Sequence, residues 1–153
     1  MATLLETLTR EDTRPRVVRA CVDLVDTEVE SKRGLSGIAI KAAYKLVQAV
    51  KPTFVRDVVD RLLPEFAGTL EPLYVESIGL AEHSGKARAE TFSTHLQGNA
   101  DRAADALLAV TDSRVNATNN LTLRKTYEKL RGTAQEHVQA AVPNLARTIA
   151  PFV

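Results

Sequence analysis

The stretch GLSGIAIKAAYKLVQAVK, Gly34 to Lys51, decides how this chain is read. Wound as an α-helix at about 100° per residue, it gathers Gly34, Gly37, Lys41, Lys45 and Gln48 into one stripe roughly 80° wide. Nearly everything else up to Val50 is apolar. Ser36 is the polar exception; it points away from the stripe and reads as a helix N-cap. A helix that apolar over most of its circumference belongs in the core of a bundle, on a partner, or on a membrane. The alanines Ala39, Ala42, Ala43 and Ala49 would let neighbouring helices approach closely. The expectation is therefore a buried central helix over residues 34–51.

The rest of the chain supplies the bundle. Thr3 and Glu6 form a capping box before Leu4, Leu5 and Leu8. Pro15 suits the first turn of a helix running to about Lys32, with Val17, Cys21, Leu24, Val25 and Val29 at helical spacing. Pro52 ends the central helix, and Thr53 caps a helix whose inner face is Phe54, Val55, Val58, Val59, Leu62 and Leu63. Arg56 with Asp60 and Asp57 with Arg61 fit i,i+4 pairs on its outer side. Pro64 either kinks that helix or starts another, and Pro72 suggests a second break. Residues 82–86 (EHSGK) read as a loop before a helix near 87–97 that ends at Gly98. Asn99 caps the next, NATNN (116–120) reads as a long loop, and Gly132 closes a helix begun at Leu121. Thr133 and Glu136 open a last helix, kinked or stopped at Pro143. No run alternates β-branched and polar residues between hairpin turns. The expected fold is all-α, a single-domain bundle of about seven or eight helices spanning residues 1–153.

With 153 residues, 44% hydrophobic and 25% charged, such a domain buries about two thirds of its unfolded surface without staples. Trp is absent and aromatics are 5%, so Leu, Val, Ile and Ala must build the core. The net charge of +1 steers the chain to neither nucleic acid nor anionic lipid as a whole. Charge is nonetheless uneven. Residues 34–64 hold five cations against two acids, and residues 65–90 five acids against two cations, patches that could meet within or between chains. The lone Cys21 makes no internal disulfide and reads as a buried, inert thiol. The charged opening MATLLETLTREDTRPR does not read as a secretion signal, which makes the cytoplasm the expected location.

Chemical signatures are sparse. His83, His95 and His137 lie far apart in sequence, with no HExxH and no CxxC, so no metal or other cofactor is expected. Gly34 and Gly37 fit a tight turn and close helix packing better than a phosphate loop, since no strand precedes them. Glu65, Glu71, Glu76, Glu82 and Glu90 read as a solvated acidic face rather than catalytic carboxylates. In RKTYEKLR, Arg124–Arg131, Tyr127 aligns with Leu123 and Leu130 on an inner face and Glu128 stands to pair with Arg124. That pattern argues against nucleic acid.

Three stretches, GLSGIAIKAAYKLVQAVKP (34–52), DALLAVTDSR (105–114) and RKTYEKLR (124–131), together resemble a bacterial family of small helical proteins with no assigned activity. The resemblance implies a bacterial cytoplasmic protein and supplies no catalytic residues.

The functional expectation is a non-enzymatic interaction or scaffolding module that self-associates or binds a protein partner. Lys41, Tyr44, Lys45, Arg124 and Lys125 are its candidate contact residues. One alternative is a carrier or sensor of an apolar small molecule or lipid, in a cavity lined by Ile38, Ala42 and Leu46 with Lys41 or Lys45 at its mouth. The others are an enzyme, and a weaker case for membrane contact through the lysine-edged helix.

Overall fold

The first helix begins on its expected cap, whereas Thr53 and Asn99 precede their helices without a side-chain cap bond and Ser36 lies inside a helix. In the computed structural model, which describes residues 2–153, Thr3 Oγ1 accepts the Glu6 amide at 3.0 Å. Glu6 Oε2 in return accepts the Thr3 amide at 2.8 Å, and this capping box opens α1 (Leu4–Thr9). A free donor at the start of α1, the Leu4 amide, is taken by Glu71 Oε2 at 2.7 Å. Pro15 lies in the first turn of α2 (Arg14–Ser31), and α3 is Gly34–Val50. There follow α4 (Phe54–Ser84), α5 (Arg88–Gly98), α6 (Ala100–Ala117), α7 (Leu121–Ile149) and a closing 3-10 turn, Ala150–Phe152. The seven helices and the absence of strands among the described residues make the fold all-α, as the sequence predicts.

Four expected breaks are absent. α4 runs unbroken through Pro64 and Pro72, and α7 through Gly132 and Pro143. A proline lacks the N–H that would bond the carbonyl four residues back, which for Pro64 is that of Asp60. Arg14 fills that vacancy: its guanidinium donates to the Asp60 carbonyl at 2.6 Å and to the Asp60 carboxylate at 2.9 Å. The expected Arg56–Asp60 and Asp57–Arg61 pairs give way to Arg14–Asp60 and to Lys51–Asp57, 2.7 Å. The NATNN loop shrinks to residues 118–120, because α6 continues to Ala117 and Asn120 caps α7 through the Leu123 amide.

The centre of the molecule is α4, not α3. Leu62, Leu63, Ala67, Leu70, Leu73, Tyr74, Ile78 and Ala81 of α4 are buried, spaced three and four apart along one side. All of these but Leu62 and Ala81 form one core cluster with Leu4 and Leu8 of α1, Val17 of α2, Phe92 and Leu96 of α5, Ala103 of α6, and Val142 and Ala146 of α7. The Tyr74 and Phe92 rings meet edge to face, centroids 5.6 Å apart. α3 buries Gly37 alone and leaves Leu35 88%, Ile38 65%, Leu46 45% and Val50 71% exposed. Its small side chains and lysine border cannot compete with a 31-residue helix that carries large aliphatics on one face. The acidic patch does not meet the α3 lysines either. Glu65 pairs with Arg114 at 2.7 Å and Glu76 with Arg102 at 2.8 Å, both on α6.

The glycines of the α2–α3 turn do what the sequence suggests. Gly34 holds φ at +74°, and a Cβ on Gly37 would lie 2.8 Å from the Lys32 carbonyl carbon. Because that neighbour is backbone, Gly37→Ala is expected to lower unfolding free energy by about 1–3 kcal/mol in chemical denaturation. An unchanged midpoint would mean that the turn yields freely.

Candidate functional site

α3 lies across the molecule as a cover. Its inner edge, Ile40, Ala43, Tyr44 and Val47, faces Phe54, Val58 and Leu62 of α4, Val115 of α6, and Leu123 and Tyr127 of α7. Between them is a cavity of about 550 Å³. A second cavity of about 370 Å³ lies among Leu24 and Val25 of α2, Leu63 and Phe66 of α4, Leu107 of α6 and Leu145 of α7. Val29, Ile40 and Thr111 line both, so the two adjoin. Either volume falls in the range of about 300–1,000 Å³ usual for small-molecule sites.

The walls are mostly apolar, built from leucines, valines and the Phe54 and Phe66 rings of the helices below α3. Cys21 lines the second cavity, and burial pushes its thiol up to about 11, far from the reactive thiolate. Polar groups gather at the edges. Tyr127 donates its hydroxyl to Asp112, which also takes Arg131 Nε at 2.9 Å; Thr111 Oγ1 lies 2.8 Å from the Tyr127 hydroxyl. The Arg131 guanidinium, then Tyr127, hold the Asp112 carboxyl below its ordinary value, while burial and then Asp112 raise Tyr127. Arg114 also lines the first cavity and is occupied by Glu65. Arg61 lines the same cavity, is exposed, and makes no ion pair among the described residues.

Few polar bonds hold the cover. Tyr44 donates its hydroxyl to Asp26 of α2. Ser36 Oγ lies 3.1 Å from His137 Nε2 of α7. At the α2–α3 turn, Lys32 Nζ reaches Glu28 Oε2 and the His137 carbonyl, each at 3.4 Å.

Of the expected contact residues, Tyr44 lines the first cavity. Lys41 is half-buried and Lys45 exposed on the border of α3; Arg124 is half-buried and Lys125 exposed on α7. The expected Arg124–Glu128 pair is not formed among the described residues. The expected cavity lining is corrected: Ile38, Ala42 and Leu46 are exposed, and Ile40, Ala43 and Val47 line the space. The cations that line it are Arg61 and the Glu65-paired Arg114, not Lys41 or Lys45. A helix with two apolar arcs gives no sign in sequence of which one faces inward. The hint available was Tyr44, whose hydroxyl needs an interior partner.

Elsewhere the histidines stay apart: His83 in the last turn of α4, His95 on α5 and His137 on α7. No group of three His, Cys, Asp or Glu among the described residues is placed to hold a metal. His95 Nε2 lies 2.9 Å from Glu76 Oε1, and Arg102 spans both Glu76 oxygens at 3.0 and 2.8 Å. Arg102 first, then His95, hold the Glu76 carboxyl down at about 2, against an ordinary 4.5. A carboxylate depressed in the folded state contributes stability that is present above its unfolded value and lost on acidification. The α4–α6 contact is therefore expected to weaken progressively between about pH 4.5 and pH 2. Glu76→Gln should flatten the pH dependence of the denaturation midpoint over that window, and an unaltered slope would remove the pair from the account.

The fold and this interior define a small all-α protein with a helix laid over an apolar cavity. Residues 4–153 match the family described as "Family of unknown function (DUF6918)", and the chain belongs to that family. No curated protein and no solved structure matches it.

Proposed function

We propose that the chain is a carrier or sensor that holds an apolar molecule, such as the acyl part of a lipid, beneath α3. The observation that carries this reading is the pair of adjoining aliphatic cavities, about 550 and 370 Å³, under a helix tethered by few polar bonds. Association into an apolar space needs no directional chemistry; each methylene removed from water contributes about 0.8 kcal/mol. Arg61 at the rim suits an acidic end group on the ligand. The reading places the chain in the cytoplasm, where a lone thiol such as Cys21 stays reduced.

Native mass spectrometry of gently purified protein tests it. The expected spectrum shows mass in excess of the chain that leaves on denaturation and partitions into organic solvent. Bare chain that also takes up no long-chain fatty acid added at micromolar concentration would overturn the reading. Self-association, the leading expectation from sequence, would draw on the outer face of α3 rather than on the cavity. The same spectrum reads it as multiples of the chain mass.

A further inference from the structure

The outer face of α3 raises a question separate from the cavity. Leu35, Ile38, Ala42, Leu46, Ala49 and Val50 are all exposed and share an arc of roughly 120° on this helix. Contiguous exposed aliphatics of this kind mark an interaction surface. The helix is thus apolar on two sides, one over the cavity and one towards solvent, with Lys41 and Lys45 on the border between them.

The charge around this face says what covers it. No acidic residue occurs from Lys32 to Lys51, which hold five of the chain's twenty cations, so acids outnumber cations in the remainder. Lys32 and Lys51 are paired with Glu28 and Asp57. Lys41 and Lys45 make no ion pair among the described residues, and Arg33 donates from Nη1 to the carbonyls of Glu30 and Lys32. A second copy docked here by a twofold axis would lay α3 on α3 and bring Lys41 and Lys45 towards their own counterparts, which like-charge repulsion disfavours. An anionic bilayer satisfies both features together, accepting the aliphatic arc at the acyl boundary and the lysines among its headgroups. No helix among the described residues is long and apolar enough to cross a membrane, so the contact is interfacial.

We infer that the outer face of α3, Leu35 to Val50 with Lys41 and Lys45, docks the protein on an anionic phospholipid surface. The inference goes beyond the carrier reading and does not need the cavity to be filled. If both hold, the helix that covers the cavity is the one that meets the lipid.

Co-sedimentation of the full chain with vesicles tests it. Binding is expected to vesicles of phosphatidylcholine and phosphatidylglycerol in equal parts, to weaken as salt is raised, and to fall away on phosphatidylcholine alone. Lys41→Gln and Lys45→Gln should each weaken binding about fivefold. The double variant Leu35→Glu/Ile38→Glu should weaken it by about a hundredfold or more while leaving the helical circular dichroism unchanged, since both positions face solvent. Ala43→Phe, on the inner face, should bind vesicles normally even where it loses its ligand, which separates this inference from the carrier reading. Absence of wild-type binding to the anionic vesicles, equal binding to neutral ones, or full binding by the double variant would overturn the inference. So would a dimer in solution that the double variant splits while wild-type protein ignores vesicles, since that result assigns the face to a second copy.

Discussion

Phe92→Ala is expected to lower the unfolding free energy by about 3–5 kcal/mol, the range for truncating a fully enclosed aromatic. Phe92 is completely buried on α5 and stands edge-on to Tyr74 of α4 within the main core cluster. Truncation loses the transfer energy of the ring and leaves a void walled by side chains from several helices, which cannot all move in to fill it. For a domain whose total stability is of order 5–15 kcal/mol, that is a large fraction. Urea denaturation should show the midpoint falling with little change in slope. The companion substitution Leu35→Ala, on α3, should change stability by less than about 0.5 kcal/mol, because that side chain is 88% exposed. The pair measures directly whether α3 belongs to the core that holds Phe92. Equal losses at the two positions would return α3 to that core.

Why α3 reads as central in the sequence and lies at the surface in the structure is a matter of what periodicity can report. A helix with one apolar face and one polar face declares its orientation. A helix with two apolar faces, separated by Lys41, Lys45 and Gln48 on one border, declares only that both need cover. The protein body covers the one that carries Ile40, Ala43, Tyr44 and Val47 and leaves the other exposed. The signals that were legible are those whose physics is local. Thr3 and Glu6 satisfy each other's amides, Pro15 sits where its missing N–H costs nothing, and Gly34 supplies a positive φ. The signals misread are those with a remote partner. At Pro64 the carbonyl that the proline leaves open is taken by Arg14, fifty residues earlier, which no local pattern shows. Asp57 and Asp60 likewise find Lys51 and Arg14 in preference to the arginines one turn away on their own helix. The cavity was legible as a kind of site but not in its residues, since its lining comes from five helices and its register turns on the rotation of one.

That rotation gives the sharpest test of the candidate site. Ala43→Phe is expected to reduce uptake of an apolar ligand by a hundredfold or more, whereas Ala42→Phe, the next residue along, should leave it unchanged. The Ala43 side chain lines the larger cavity, and a ring there would occupy much of the space a ligand needs. Ala42, about 100° further round the helix, is exposed, and a ring there meets solvent. The stability effect should run the other way from the binding effect. Filling a void with aliphatic and aromatic neighbours commonly adds about 0.5–2 kcal/mol, so Ala43→Phe should unfold at higher denaturant while binding less. Ala141→Leu makes the same argument for the second cavity, where Ala141 of α7 is half-buried among its lining. Loss of binding joined to gain of stability distinguishes an occupied cavity from a merely damaged fold, in which both would fall together. If Ala42→Phe blocked uptake and Ala43→Phe did not, α3 would be turned by about 100° from its observed setting and the cavity assigned here would not be the site. If neither affected uptake, the ligand would lie elsewhere, and the apolar underside of α3 would be packing that the fold leaves incomplete.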